Sequence, residues 1–173
     1  MFAAIGCGVS GAITSTCPGH QVWILGSNSV AIDIGASAGS AVQFNVQSGY
    51  TVRGVVSGIQ SSCGGLAGST VIIDIELYGT DLNPYDWVPV GQVSYTHISP
   101  SVSLGNVLSA GATVGTVGNY SGNANGSGHG HPSNWVCYGS AHPCWTGAHV
   151  HQEWKSYYYS VSCSNSCPWP GQI

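Results

Sequence analysis

Between residues 70 and 77 apolar and polar positions alternate, with Val71, Ile73, Ile75 and Leu77 on one side and Ile72, Asp74 and Glu76 on the other. A period of two is that of a half-buried β-strand. On this pattern Asp74 and Glu76 read as the solvated face of an antiparallel strand rather than as paired catalytic acids. Short apolar runs broken by Gly or Asn predict further strands at 30–34, 49–56 and 90–98, and short strands around turns over 104–117. In 30–34, Ala31 and Asp33 fall opposite Ile32 and Ile34. A carboxylate so placed is costly to bury unless it is paired or holds a metal, and a simply wet face is the alternative. In 90–98, alternation puts Val93, Tyr95 and His97 on one face. Helix signals are scarce and there are 26 glycines, so the chain reads as all-β, mostly antiparallel.

A last strand falls in Thr146-Gly147-Ala148-His149-Val150-His151-Gln152-Glu153-Trp154. Its alternation puts His149, His151 and Glu153 on one face and Val150 and Gln152 on the other. Two imidazoles aimed into one space suit a metal ion, one as ligand and the other as an acid, a base or a hydrogen-bond donor. Exposed strands carry His-x-His by chance, so the remaining ligands must come from elsewhere in the chain. His20 follows the turn signal Cys17-Pro18-Gly19, where a histidine is more often exposed than ligating. Residues 119–135 form a Gly/Ser/Asn-rich loop holding His129-Gly130-His131, and His142 lies beyond it. Metal binding by such a loop has to offset its ordering entropy.

Composition narrows the function. At 173 residues the chain reads as one domain able to bury its own core, divided into an N-terminal segment (1–17), a core (18–155) and a Cys/Trp-rich tail (156–173). Charged residues are 5% of the total and the only basic side chains are Arg53 and Lys155. Nucleic-acid binding through phosphate contacts is thereby excluded, and the net charge of -4 gives no attraction to an anionic surface. No apolar run approaches the ~20 residues of a membrane-spanning helix. Residues 1–14 are small and apolar without a basic start, consistent with a signal or pro-segment remnant or with a first strand. Seven cysteines without a Cys-x-x-Cys pair point to disulfides in an oxidising compartment, secreted, surface or periplasmic. Cys163 and Cys167 are close enough in sequence to bridge each other, and the odd count leaves one cysteine over.

In chain order, His20, Asp33, Tyr95-Thr96-His97-Ile98 and Thr146-Gly147-Ala148-His149-Val150-His151-Gln152-Glu153 resemble the lysostaphin and β-lytic family of zinc endopeptidases, which cut bacterial cell-wall peptides. The segment from Val107 to Gly118 is similar to the family's sequence ahead of its His-x-His, and the likeness covers about residues 18–155. His20 and Asp33 stand 13 positions apart, whereas many members hold these ligands in a tight His-x-x-x-Asp; the longer interval resembles the β-lytic and staphylolysin branch. Ala148, Val150 and Ile98 replace the family's Pro, Leu and Leu, apolar for apolar.

The resemblance implies a lysostaphin-type sheet with a groove, one Zn²⁺ ion held by His20, Asp33 and His151, and His97 and His149 beside it. Two nitrogens and a carboxylate suit zinc, and three protein ligands leave a fourth position open. In the implied chemistry His149 is the general base and His97 stabilises the oxyanion, roles that can be exchanged. The implied substrate is the peptide cross-link of peptidoglycan, at Gly-containing bonds. The segment 122–146 is longer than is usual in the family and reads as a loop over the cleft; in the branch it resembles, Cys63 would pair with Cys137 or Cys144. A catalytically silent structural or wall-binding module on the same fold is the rival reading, and a disulfide-stapled adhesin leaves the ordered motifs unexplained.

Overall fold

The computed structural model describes residues 2–15, 17, 20, 22, 24–61, 68–118, 148–165, 167, 169 and 171–173. Among them the regular elements are all strands: β1 (Ala3–Ile5), β2 (Ala12–Ser15), β3 (Ser29–Gly35), β4 (Ala41–Gln43), β5 (Val46–Ser48), β6 (Thr51–Ser61), β7 (Ser69–Tyr78), β8 (Trp87–Pro100), β9 (Val107–Ser109), β10 (Thr113–Val117), β11 (His149–Ser156), β12 (Ser162–Cys163) and β13 (Gly171–Gln172). They pair antiparallel. The larger sheet runs β2-β3-β11-β8-β7-β6-β9, with β10 pairing both β8 and β4; the smaller runs β12-β13-β1-β5. No described helix is long and apolar enough to cross a membrane.

The alternation of β7 is as its sequence predicts. Val71, Ile73, Ile75 and Leu77 are fully buried, while Ile72, Asp74 and Glu76 are half-buried on the other face. Neither carboxylate there stands alone: Arg53 donates to Glu76 at 2.6 Å, and Gln92 and Tyr157 donate to Asp74. The same inner face of the large sheet buries Ile32, Ile34, Val93, Tyr95, Val150 and Trp154 in one cluster with Ile5, Phe44, Val46 and Ile173. Each such side chain contributes about 1.5–3 kcal/mol by leaving water. The N-terminal segment thus holds two strands, β1 and β2, and the chain after β1 crosses the core face. Buried Gln152 accepts from the Gly8 amide at 2.8 Å and donates to the Gly6 carbonyl at 2.9 Å. Gly8 lies against the Tyr95 ring and Gly171 against the Trp154 indole, each so close that a Cβ would collide with the ring.

The tail folds back onto the N-terminal segment, since β13 pairs with β1 and β12 with β13. Two disulfides fasten the two, Cys7–Cys167 and Cys17–Cys163. The expected local bridge between Cys163 and Cys167 is therefore incorrect. The hairpin of β12 and β13 carries both tail cysteines to the N-terminal segment, and proximity in sequence has no part in the pairing. The expected pairing of Cys63 with Cys137 or Cys144 lies outside the described residues, as do the 122–146 segment, His129, His131 and His142.

Candidate metal centre

The core needs only one face of the large sheet, and the opposite face carries the chemistry. Cross-strand register puts Asp33 of β3 directly opposite His151 of β11, and His151 opposite Thr96 of β8. Directly opposed residues share a face, so Asp33, His151 and Thr96 form one row. Asp33 is buried, which excludes the wet-face alternative.

His20, in the segment between β2 and β3, completes a triangle. Its Nε2 lies 3.0 Å from Asp33 Oδ1 and 3.1 Å from His151 Nδ1, and His151 Nδ1 lies 2.9 Å from Asp33 Oδ1. Among the described residues these three form a group of the kind that holds a metal ion. Two imidazole nitrogens and a carboxylate oxygen turned toward one point repel each other unless a proton or cation lies among them. Ligand atoms ~2.0–2.1 Å from a tetrahedral Zn²⁺ would be roughly 3.3–3.4 Å apart, so a few tenths of an ångström of relaxation fits the donor set to zinc.

The second nitrogen of His151 faces away from this triangle. Nε2 donates to Glu153 Oε1 at 2.9 Å, so when the ring carries a single proton it sits on Nε2 and the Nδ1 lone pair faces the triangle. Glu153 is fully buried; its carboxylate also accepts from the backbone amides of Ile24 at 3.1 Å and Leu25 at 2.8 Å. Burial opposes ionisation of Asp33, but hydrogen bonds and charge from His151 and His20 outweigh it and hold the carboxyl below its usual range. Burial likewise disfavours the His151 imidazolium, yet hydrogen bonds to Asp33 and Glu153 and their charges raise its pKa to about 9.

His97 and His149 form a second pair beside the triangle, both buried, with ring centroids 4.8 Å apart. His149 stands two positions before His151 on the same face. The expectation that Val93, Tyr95 and His97 share a face is wrong in its last member. Val93 and Tyr95 lie in the core, and strict alternation would send His97 there as well. Instead the register of β8 against β7 slips by one residue between Ser69–Ile98 and Val71–Tyr95, and His97 adopts a left-handed backbone with φ of 67°. A bulge at 96–97 thus turns two consecutive residues, Thr96 and His97, toward the same side. Thr96 is tied there by a 2.9 Å hydroxyl contact with Thr70.

The chain therefore brings His20, Asp33 and His151 together at one point and His97 and His149 together next to it. Glu153 was legible only as a neighbour on the strand face. The signal for more was its carboxylate, two positions past a candidate ligand on a strand with both faces buried.

Neither a protein-family model nor a curated protein matches the chain. Solved structures do resemble it. A putative peptidase M23 from Pseudomonas aeruginosa is 19% identical, with a TM-score of 0.47, over 86% of this chain and 43% of that one. A zinc-containing peptidase from Vibrio cholerae is 16% identical, with a TM-score of 0.49, over 88% of this chain and 37% of that one. The catalytic domain of lysostaphin from Staphylococcus simulans is 15% identical, with a TM-score of 0.45, over 97% of this chain and 86% of that domain. The chain spans less than half the length of the first two proteins. At these identities and TM-scores the likeness carries no conclusion about chemistry, which must come from the side chains themselves.

Proposed function

We propose that the chain is a zinc-dependent endopeptidase acting outside the cytoplasm on the peptide cross-links of bacterial peptidoglycan, at Gly-containing bonds. The observation that carries this reading is the convergence of His20 Nε2, Asp33 Oδ1 and His151 Nδ1 within 3.1 Å of one another, with two further buried imidazoles alongside. The ordered motifs that resemble lysostaphin supply the substrate class, and the two disulfides suit an oxidising compartment. The assignment to the β-lytic branch rests on the 13-position interval between His20 and Asp33 alone.

His20, Asp33 and His151 would hold the ion. Zinc, when bound, supplies a Lewis acid that polarises the scissile carbonyl and lowers the pKa of water to roughly 7. His149, in its neutral form, accepts the proton of the attacking water and returns it to the leaving amine. His97 donates a hydrogen bond to the oxygen on which negative charge develops. Their 4.8 Å centroid separation lets them share one small site, and exchanging the two roles leaves the chemistry intact.

The scarcity of charge, 5% of residues, favours a second reading in which the same fold serves as a silent structural or wall-binding module. One experiment separates the two. Purified chain is stripped with chelator, reloaded with Zn²⁺, and assayed for release of new amino termini from peptidoglycan, alongside His149→Ala. The enzyme reading expects activity that vanishes with chelator, returns with zinc and falls about 10²–10⁴-fold in the variant. Wall binding without hydrolysis, unchanged in the variant, would establish the module instead.

A further inference from the structure

We propose that Glu153 is the positioning residue of the metal centre: its carboxylate locks His151 in the ligating tautomer and, through the same two oxygens, anchors the segment that carries His20. This rests on the zinc reading above.

A fully buried carboxylate is costly unless hydrogen bonds replace its water. Glu153 has such bonds from two directions. From its own strand comes His151 Nε2–H at 2.9 Å. From the segment just after His20 come the amides of Ile24 and Leu25, the latter at 2.8 Å. Lys155, two positions further along β11, donates to the Leu25 carbonyl at 3.3 Å and holds the same segment. Two of the three candidate ligands thus depend on one carboxylate, which lies behind His151 with respect to the triangle. With Nε2 protonated toward Glu153, the lone pair of Nδ1 is directed at Asp33 and His20. The donors from His151, Ile24 and Leu25 are N–H groups that reach both oxygens, so the carboxylate acts as an acceptor on each. A glutamine amide would turn an NH₂ toward either His151 or the Leu25 amide and break one of the two links.

The test uses the full chain. Zinc affinity of Glu153→Gln is measured against a competing chelator at fixed pH, and the imidazole nitrogens of the zinc-loaded wild type are assigned by ¹⁵N NMR. The dissociation constant is expected to rise about 10–100-fold. Val150→Ala, on the core face of the same strand, is expected to lose stability and keep its zinc affinity within about twofold, which separates positioning from general loosening. The wild-type spectrum is expected to put the His151 proton on Nε2 and the metal on Nδ1. A folded Glu153→Gln that binds zinc as the wild type does would overturn the inference. So would a wild-type His151 protonated on Nδ1, a result that stands even if the variant fails to fold. Wild type that takes up no zinc removes the metal reading and this inference together, whereas tight wild-type binding unaffected by the variant removes the inference alone.

Discussion

His97 meets His149 because its backbone turns through φ of 67°, at one of the two places where β8 slips a residue against β7. A histidine in this conformation is strained by about 1–3 kcal/mol, and such strain is tolerated where the surroundings require it. Here what it achieves is direction: the imidazole leaves the core face and joins the face of the candidate ligands.

Replacing His97 therefore separates backbone from side chain. Asn tolerates a left-handed backbone and Val does not. His97→Asn and His97→Val both remove the imidazole and are expected to lose activity about 10²-fold or more. Only the valine variant should also lose a further ~1–3 kcal/mol of stability. Urea unfolding of the two variants measures this difference directly.

The metal-free protein should show opposite pH dependences from two groups. Asp33 has its pKa depressed from 3.8, so its contribution is present above that value and lost as pH falls below it. His151 has its pKa raised from 6.5 to about 9, so its contribution is complete below 6.5 and lost as pH rises through about 9. After chelation, the urea midpoint is expected to be highest between these limits and to fall on either side. Zinc has to displace the His151 proton, so its affinity should drop roughly tenfold per pH unit below about 9. Chelator competition across the pH range checks that slope.

The disulfides have separable consequences. Each closes well over 100 residues of chain, with sequence separations of 160 and 146, and removing either is expected to cost about 2–5 kcal/mol. Cys17 lies three positions before His20, and Cys7 does not adjoin a ligand. The pair Cys17→Ser with Cys163→Ser should therefore weaken zinc binding as well as stability. Cys7→Ser with Cys167→Ser should affect stability alone. Calorimetry and zinc titration on both double variants distinguish them.

What could be read from residues alone depended on whether local pattern or long-range geometry decides a feature. The strands at β3, β7 and β11 were legible because alternation reports directly which face is buried, and so was the shared face of His149, His151 and Glu153. The side taken by His97 was not, because a bulge formed by a non-glycine residue leaves no mark in the hydrophobic pattern. The partners of Cys163 and Cys167 were hidden for a related reason: β13 pairs with a strand at the other end of the chain. The role of Glu153 required knowing that the segment after His20 folds across β11 and turns the Ile24 and Leu25 amides toward it.

The most direct measurement is a crystal structure of the zinc-soaked protein with anomalous data at the zinc edge. One strong peak is expected within ~2.0–2.2 Å of His20 Nε2, Asp33 Oδ1 and His151 Nδ1, with His97 and His149 beside it. No peak there, or a zinc bound without His20 or His151, would contradict it.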